Sequence, residues 1–379
     1  MKQAYSKGLE GVVVDETRVS NVEGEIGRLT YRGYPIEELV HLPYERVIWL
    51  VLFDQFPDEE QEAELARYLV EHMSLTDYER DLLAHIPRHT HPMVMLQSLV
   101  PLLDSVSRWN LPVPQLSEEL SDDALKGLVI IAKLPLLVAG FHQVMQGEPL
   151  RETDPSLGYH GNFLNLFSGK RASPEQVAIL DVVQILQMEH SFNAGTFAGR
   201  VTASTLSPVE CVISAAIGTL YGKLHGGADQ AALEMAMEVG DPNAARAFVK
   251  ESLKAKRKIM GMGHREYRTA DPRAKILKPM AERLSKDAQF DLLLRTLEAI
   301  EQEFRREMKK QQKDLWANVD YYKGLVLYAL GIPPRFFTSL FAMSRTVGYL
   351  AHFIESRQDN RIIRPKALYT GRELTRLSA

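Results

Sequence analysis

From Pro35 onward, apolar residues recur every three or four positions, and only an α-helix gathers that spacing onto one face. The pattern is plain in EELVHLPYERVIWLVLF and again in EQEAELARYLVEHM. Strand signals are nearly confined to residues 8–33, GLEGVVVDETRVSNVEGEIGRLTYRG, where β-branched and polar residues alternate between Gly and Asn breaks and predict a short hairpin. The expected fold is mainly α with a short N-terminal β-hairpin.

Helix starts are written locally. Ser173-Pro174-Glu175-Gln176 combines an N-cap hydroxyl, Pro at the first helical position and Gln at the third, predicting a buried helix to about His190. Ser207-Pro208 opens a second helix through Tyr221, whose Ala215, Ala216 and Gly218 admit a closely packed neighbour. A late helix is predicted from Thr338 to Ile354, with Met343, Val347, Leu350 and Ile354 as its apolar stripe and Arg345, Gly348 and His352 on the other face. A chain of 379 residues exceeds the usual single core, so two domains are expected, although composition marks no border.

Bulk properties exclude several partners. A formal charge of −4, with 45 basic residues spread through the chain, produces no single-sign field for nucleic acid or an anionic membrane. No window reaches the roughly 18 unbroken apolar residues of a membrane span. The N-terminus lacks the pattern of a signal or transit peptide. The single cysteine, Cys211 in CVISAAIGTL, rules out an internal disulfide and reads as a buried, inert thiol. Cytoplasm is the expected location.

Four settings carry chemistry. His225 lies in KLHGGA, where it reads equally as a site residue or as a helix-terminal histidine with Gly226 as left-handed cap. His264 lies in KIMGMGHREYRTADPRA, where Gly261 and Gly263 let backbone amides approach a ligand, a plain surface loop being the alternative. His190, in MEHSFNAGTFAGRV, taken alone reads as a core histidine. Asp320, in ANVDYY, sits among apolar and aromatic neighbours that would raise its pKa and suit it to proton abstraction, or else it caps a helix. Arg345 on the late helix suits an anion, and Arg364 and Lys366 add charge near the C-terminus. His85, His89 and His91 could suggest a metal, but Pro87 and Pro92 break any helix there and solvated loop histidines are expected.

Together these segments resemble the citrate synthase family over nearly the whole chain. The resemblance rests on GLEGVVVDET, EHSFNAGTFAGRV, LHGGA, IMGMGHREY with DPRAKIL, NVDYY, SRTVGYLAH and NRIIRPKALYTG, in the family's order. It implies a two-domain helical fold, with residues 1–221 and 326–379 as a discontinuous large domain and 222–325 as a small domain that closes over substrate. It implies condensation of acetyl-CoA with oxaloacetate and water to citrate and CoA, or of propionyl-CoA to 2-methylcitrate, with no cofactor and no metal.

By that resemblance Asp320 is the general base, His225 donates to the enolate oxygen, and His264 polarises the ketone. His190, Arg273, Arg345 and Arg364 fall on the oxaloacetate positions, and Ile259, Met260, Gly261, Met262 and Gly263 on the CoA segment. Arg364 would complete the neighbouring site of a homodimer. Four positions depart from the commoner pattern: Glu266 for Val, Gly195 for Ser, Lys323 for a small residue, and Gln97 for Arg. Glu266 could alter the pKa of His264, and with Lys323 it motivates the alternative of a catalytically weak CoA- or metabolite-binding relative.

Overall fold

A computed structural model describes residues 5–103, 121–284 and 287–372. Strands β1 (Ser20–Glu23), β2 (Arg28–Tyr31) and β3 (Tyr34–Pro35) form a small antiparallel sheet, with Ser20 opposite Tyr31 and Glu23 opposite Arg28. The hairpin is shorter than predicted, because the apolar run Val12–Val14 is exposed and has no partner strand among the described residues. The turn glycines bring the hairpin onto the loop that holds His264. A Cβ at Gly27 would lie 2.7 Å from the Ala270 carbonyl, and the Gly24 carbonyl accepts from the Arg268 amide at 3.0 Å.

Helices follow in chain order: α1 (Ile36–Leu39), α2 (Tyr44–Phe53), α3 (Glu59–Glu71), α4 (Asp77–His85), α5 (Pro92–Leu99), α6 (Asp122–Gln146), α7 (Gly158–Ser168) and α8 (Pro174–Gln187). Then come α9 (Ala194–Ala203), α10 (Val209–Leu220), α11 (Ala228–Val239), α12 (Ala245–Lys254), α13 (Pro272–Arg283), α14 (Ala288–Lys310), α15 (Val319–Ala329) and α16 (Phe337–Gln358). The Ser173 capping box is present, although α8 stops three residues before His190. Pro92 starts α5 rather than breaking a helix, because its missing N–H falls at the first helical position and His91 caps it.

α16 is the hub. It packs against α2, α5, α6, α8, α9 and α10 and, at one end, against α11. The expected polar face is absent: every residue from Phe337 to Phe353 is buried, including Arg345 and His352. Helices α11 to α15 pack chiefly on one another. α6 is long and apolar enough to cross a membrane, with a mean hydropathy of 1.9 over its most apolar 18 residues, but 94% of that window is buried inside the protein. It is a core helix, interrupted by Lys133, which pairs with Glu79 at 2.5 Å. Cys211, expected inside, is exposed, because it lies on the face of α10 opposite the buried Val209, Val212, Ile213 and Ala216.

Candidate active site

His225 lies in the turn between α10 and α11, its amide donating to the Gly222 carbonyl at 2.8 Å. The left-handed residue is Gly227 (φ 81°) and not Gly226, which instead lies hard against the Leu220 carbonyl. The Gly195 amide at the start of α9 donates to Nε2 of His225 at 3.3 Å, and Asn193 Oδ1 lies 3.2 Å from the same nitrogen. The amide can only donate, so Nε2 is its acceptor and the ring proton belongs on Nδ1; Asn193 Oδ1, which accepts from the Thr196 amide, makes no hydrogen bond to Nε2 in that tautomer. Burial, reinforced by the Arg345 charge, pushes this imidazole down to about 4.

His264 is treated alike. Its Nδ1 accepts from the amides of Glu266 (3.0 Å) and Tyr267 (3.3 Å), which leaves the proton on Nε2. Burial and then Arg273 push it to about 4. The Glu266 carboxylate, expected to perturb His264, is exposed and is not among the charges that shift it; only its backbone amide touches the ring. The loop is shaped by Gly261 (φ 74°) and Gly263 (φ 84°), backbone angles that suit glycine. It is pinned to the chain entering α15: the Gly263 amide donates to the Trp316 carbonyl at 2.7 Å, and Asn318 Nδ2 donates to the Gly263 carbonyl at 2.8 Å. Of the proposed CoA segment, Ile259 and Gly261 are buried, Gly261 against Tyr321, while Met260, Met262 and Gly263 are half-buried.

His190 follows α8, its Nε2 3.1 Å from the Tyr267 hydroxyl and its ring 5.2 Å from that of His264. Arg273, at the start of α13, donates through Nε (3.0 Å) and Nη2 (2.9 Å) to the two oxygens of Asp271. Asp271 also accepts from the Val319 amide at 3.0 Å, so one carboxylate ties Arg273 to the start of α15. Arg345 is 1% exposed and donates through Nε to the Gln187 carbonyl at 2.6 Å. No carboxylate pairs with it among the described residues. Burial lowers its pKa, an arrangement that leaves a cation in want of an anion.

Asp320 is the second residue of α15; Asn318, not Asp320, is the cap. Its pKa was expected to rise. Burial does push it up, but Lys323, Arg273 and His264 outweigh that and hold the carboxyl below its usual range. The departure Lys323 is the cause: its Nζ lies 2.7 Å from Asp320 Oδ1 and 2.9 Å from Asp229 Oδ2. The departure Gly195 has a cause too, because a Cβ there would collide with the Tyr349 hydroxyl of α16. Gln97 packs on Gly218, joining α5 to α10. Beneath the site, Glu189 accepts from Ser20 Oγ and His352 Nε2, each at 3.0 Å.

Arg364 does not join the group. It is exposed on an extended C-terminal segment that touches the body through Ile363, whose amide donates to Ser204 Oγ at 3.0 Å. His85, His89 and His91 do not converge either: His85 Nδ1 contacts the Asp81 carbonyl at 2.7 Å and His91 caps α5. Sequence reasoning missed Asn193, Tyr267, Asp229 and the role of Asp271. Only Asp271 left a readable signal, as the Asp of an Asp-Pro helix start.

A mainly helical fold with three neutral histidines, a carboxylate and two buried arginines at one place suits acid–base chemistry on an anionic substrate. The chain belongs to the citrate synthase family: the family's sequence model, described as "Citrate synthase, C-terminal domain", matches residues 8–366. It is 37% identical to the citrate synthase of Acidithiobacillus ferridurans over 97% of this chain and 96% of that one. It is 35% identical to the 2-methylcitrate synthase of Shewanella oneidensis over 98% and 96%. The structure is similar to that of Thermoplasma acidophilum citrate synthase solved as a ternary complex with carboxymethyl coenzyme A and oxaloacetate. Those two chains share a TM-score of 0.91 and 29% identity, over 100% of this chain and 99% of that one.

Proposed function

We propose that this enzyme condenses acetyl-CoA with oxaloacetate and water to give citrate and CoA. The observation that carries the reading is the buried Arg345, without an ion-paired carboxylate among the described residues, close enough for its charge to act on His190 and Arg273, which adjoin His264. Oxaloacetate bears two carboxylates, and guanidinium groups match them bidentately.

Asp320 takes a proton from the acyl methyl group, and the C–H electrons move toward the thioester oxygen. His225, neutral with its proton on Nδ1, donates to that developing enolate oxygen. The enolate carbon then attacks the ketone carbon of oxaloacetate, and the ketone oxygen takes its proton from Nε2 of His264. Water hydrolyses the resulting thioester to a carboxylate and CoA thiol with release of one proton, and the proton held by Asp320 returns to Nε2 of His264, so that both groups are restored. The segment 259–263 holds the CoA. Residues 222–325 form a small domain that closes on residues 1–221 and 326–379 and excludes water during the reaction. The enzyme works in the cytoplasm as a homodimer, with Arg364 completing the partner's site. Its exposure and its lack of a partner within the described chain support that reading.

The test is release of free thiol from acetyl-CoA and from propionyl-CoA, each with oxaloacetate. Faster release from acetyl-CoA is expected. Preference for propionyl-CoA would make the enzyme a 2-methylcitrate synthase, and release from neither would overturn the proposal.

A further inference from the structure

Lys323 is a fully buried cation that the chemistry above does not use. Burying an ammonium costs several kcal/mol unless it is paired. Here it has two carboxylates from two elements: Asp320, one turn back on α15, hydrogen-bonded at 2.7 Å, and Asp229 on α11, an ion pair at 2.9 Å without hydrogen-bond alignment. The ring of Phe341 on α16 lies 4.5 Å from the ammonium. Gly324 lets the two helices come this close, since a Cβ there would lie 2.6 Å from the Asp229 carbonyl oxygen.

We propose that Lys323, anchored by Asp229, is a positioning residue for the general base Asp320. The inference rests on the reading of Asp320 as the base. Lys323 engages Oδ1, so the carboxylate is held by one edge. Oδ2, which has no hydrogen-bond partner among the described residues, is left to meet the substrate methyl group.

Asp229 acts at the moment of transfer. When Asp320 accepts the proton it becomes neutral, and a lysine paired with it alone would become an uncompensated buried cation. With Asp229 present, the triad passes from one net negative charge to neutral, and the ammonium stays paired throughout.

The charged and titratable groups facing Asp320 are Lys323 on its own helix, Asp229 on α11, Arg273 on α13, His264 in its loop and His225 after α10. Burial raises Asp229, with Lys323 pulling against it, while Asp320 ends below its usual value. Of the two carboxylates on one lysine, the one facing the substrate is the more acidic.

Two near-isosteric variants read this out. Titration of the aspartate carboxyls by carbon NMR, with the Asp320 signal assigned by its loss in Asp320→Asn, follows the base directly. In Lys323→Met the Asp320 titration and the acid limb of kcat/KM are expected to move up by about one pH unit or more. In Asp229→Asn, which loses a repelling charge, the Asp320 titration moves down, and kcat falls about tenfold or more with little change in KM for acyl-CoA. A merely structural triad would lower the melting temperature of both variants without these opposite shifts, and that result overturns the proposal. If Lys323→Met does not fold, the Asp229→Asn titration decides alone: an unmoved or raised Asp320 overturns it. Absence of thiol release by the parent would instead overturn the proposed function, and an Asp320→Asn enzyme as active as the parent would overturn the base assignment. The NMR titration reads the triad in either case.

Discussion

A carboxylate can be recognised in a sequence as a base, but its charge state is set by neighbours far away in the chain. Asp320 was legible from NVDYY; its lowered pKa was not, because the shift depends on Lys323, Arg273 and His264 meeting it. Replacing it with Asn preserves shape and removes the base, so kcat should fall about 10²- to 10⁴-fold while KM for oxaloacetate changes little. Thiol-release kinetics check this. The histidines stood out in the sequence only through the company of their motifs, and their tautomers follow from the amides of Gly195, Glu266 and Tyr267. Both rings stay neutral down to about pH 4. No decline of kcat/KM from their protonation is therefore expected between pH 7 and 5, and an imidazole-like limb near pH 6.5 would contradict the assignment.

At the scale of elements, the cap boxes and the apolar period were readable, since they depend on neighbours within one turn. Which helix faces which was not. α16 looked two-faced and proved buried all round, because six helices surround it. The contact of α9 with α16 also explains a departure that sequence reasoning could only note. At Gly195 a side chain would meet the Tyr349 hydroxyl, so Gly195→Ser should destabilise the protein by about 1–3 kcal/mol. Adding Tyr349→Phe removes the obstructing oxygen and should restore part of that loss. A double-mutant cycle from thermal or urea melts should show a coupling of about 0.5 kcal/mol or more, and additivity would refute the contact.

For the whole molecule, the buried histidines link function to stability. His190, His225 and His264 have folded pKa values below the unfolded 6.5. Between about pH 6.5 and 4 these three groups bind more protons in the unfolded chain than in the folded one, so the stability they contribute falls as pH falls through that window. The ligand-free protein should melt at a lower temperature at pH 5 than at pH 7.5 by calorimetry, and equal midpoints would count against the burial of these rings. Assembly is testable by mixing. Neither Asp320→Asn nor Arg364→Ala should be active alone, but co-refolded chains should recover activity, because in the proposed homodimer one site of each mixed pair would have both Asp320 and the Arg364 of its neighbour. No recovery would place Arg364 in its own chain's site.

Determined by the sequence alone were the helical class, the main helix starts and the family, all of which follow from periodicity, capping chemistry and motif order. Tertiary structure decided the rest. It put Lys323 between Asp229 and Asp320, buried Arg345 with no ion-pair partner among the described residues and exposed Cys211. The physical reason is one of range. Hydrogen-bonded turns are closed by residues a few positions apart, whereas burial and Coulomb interactions depend on distance in space, and folding brings together charges as far apart in this chain as Asp229 and Lys323, Glu189 and His352, or Asp15 and Arg200.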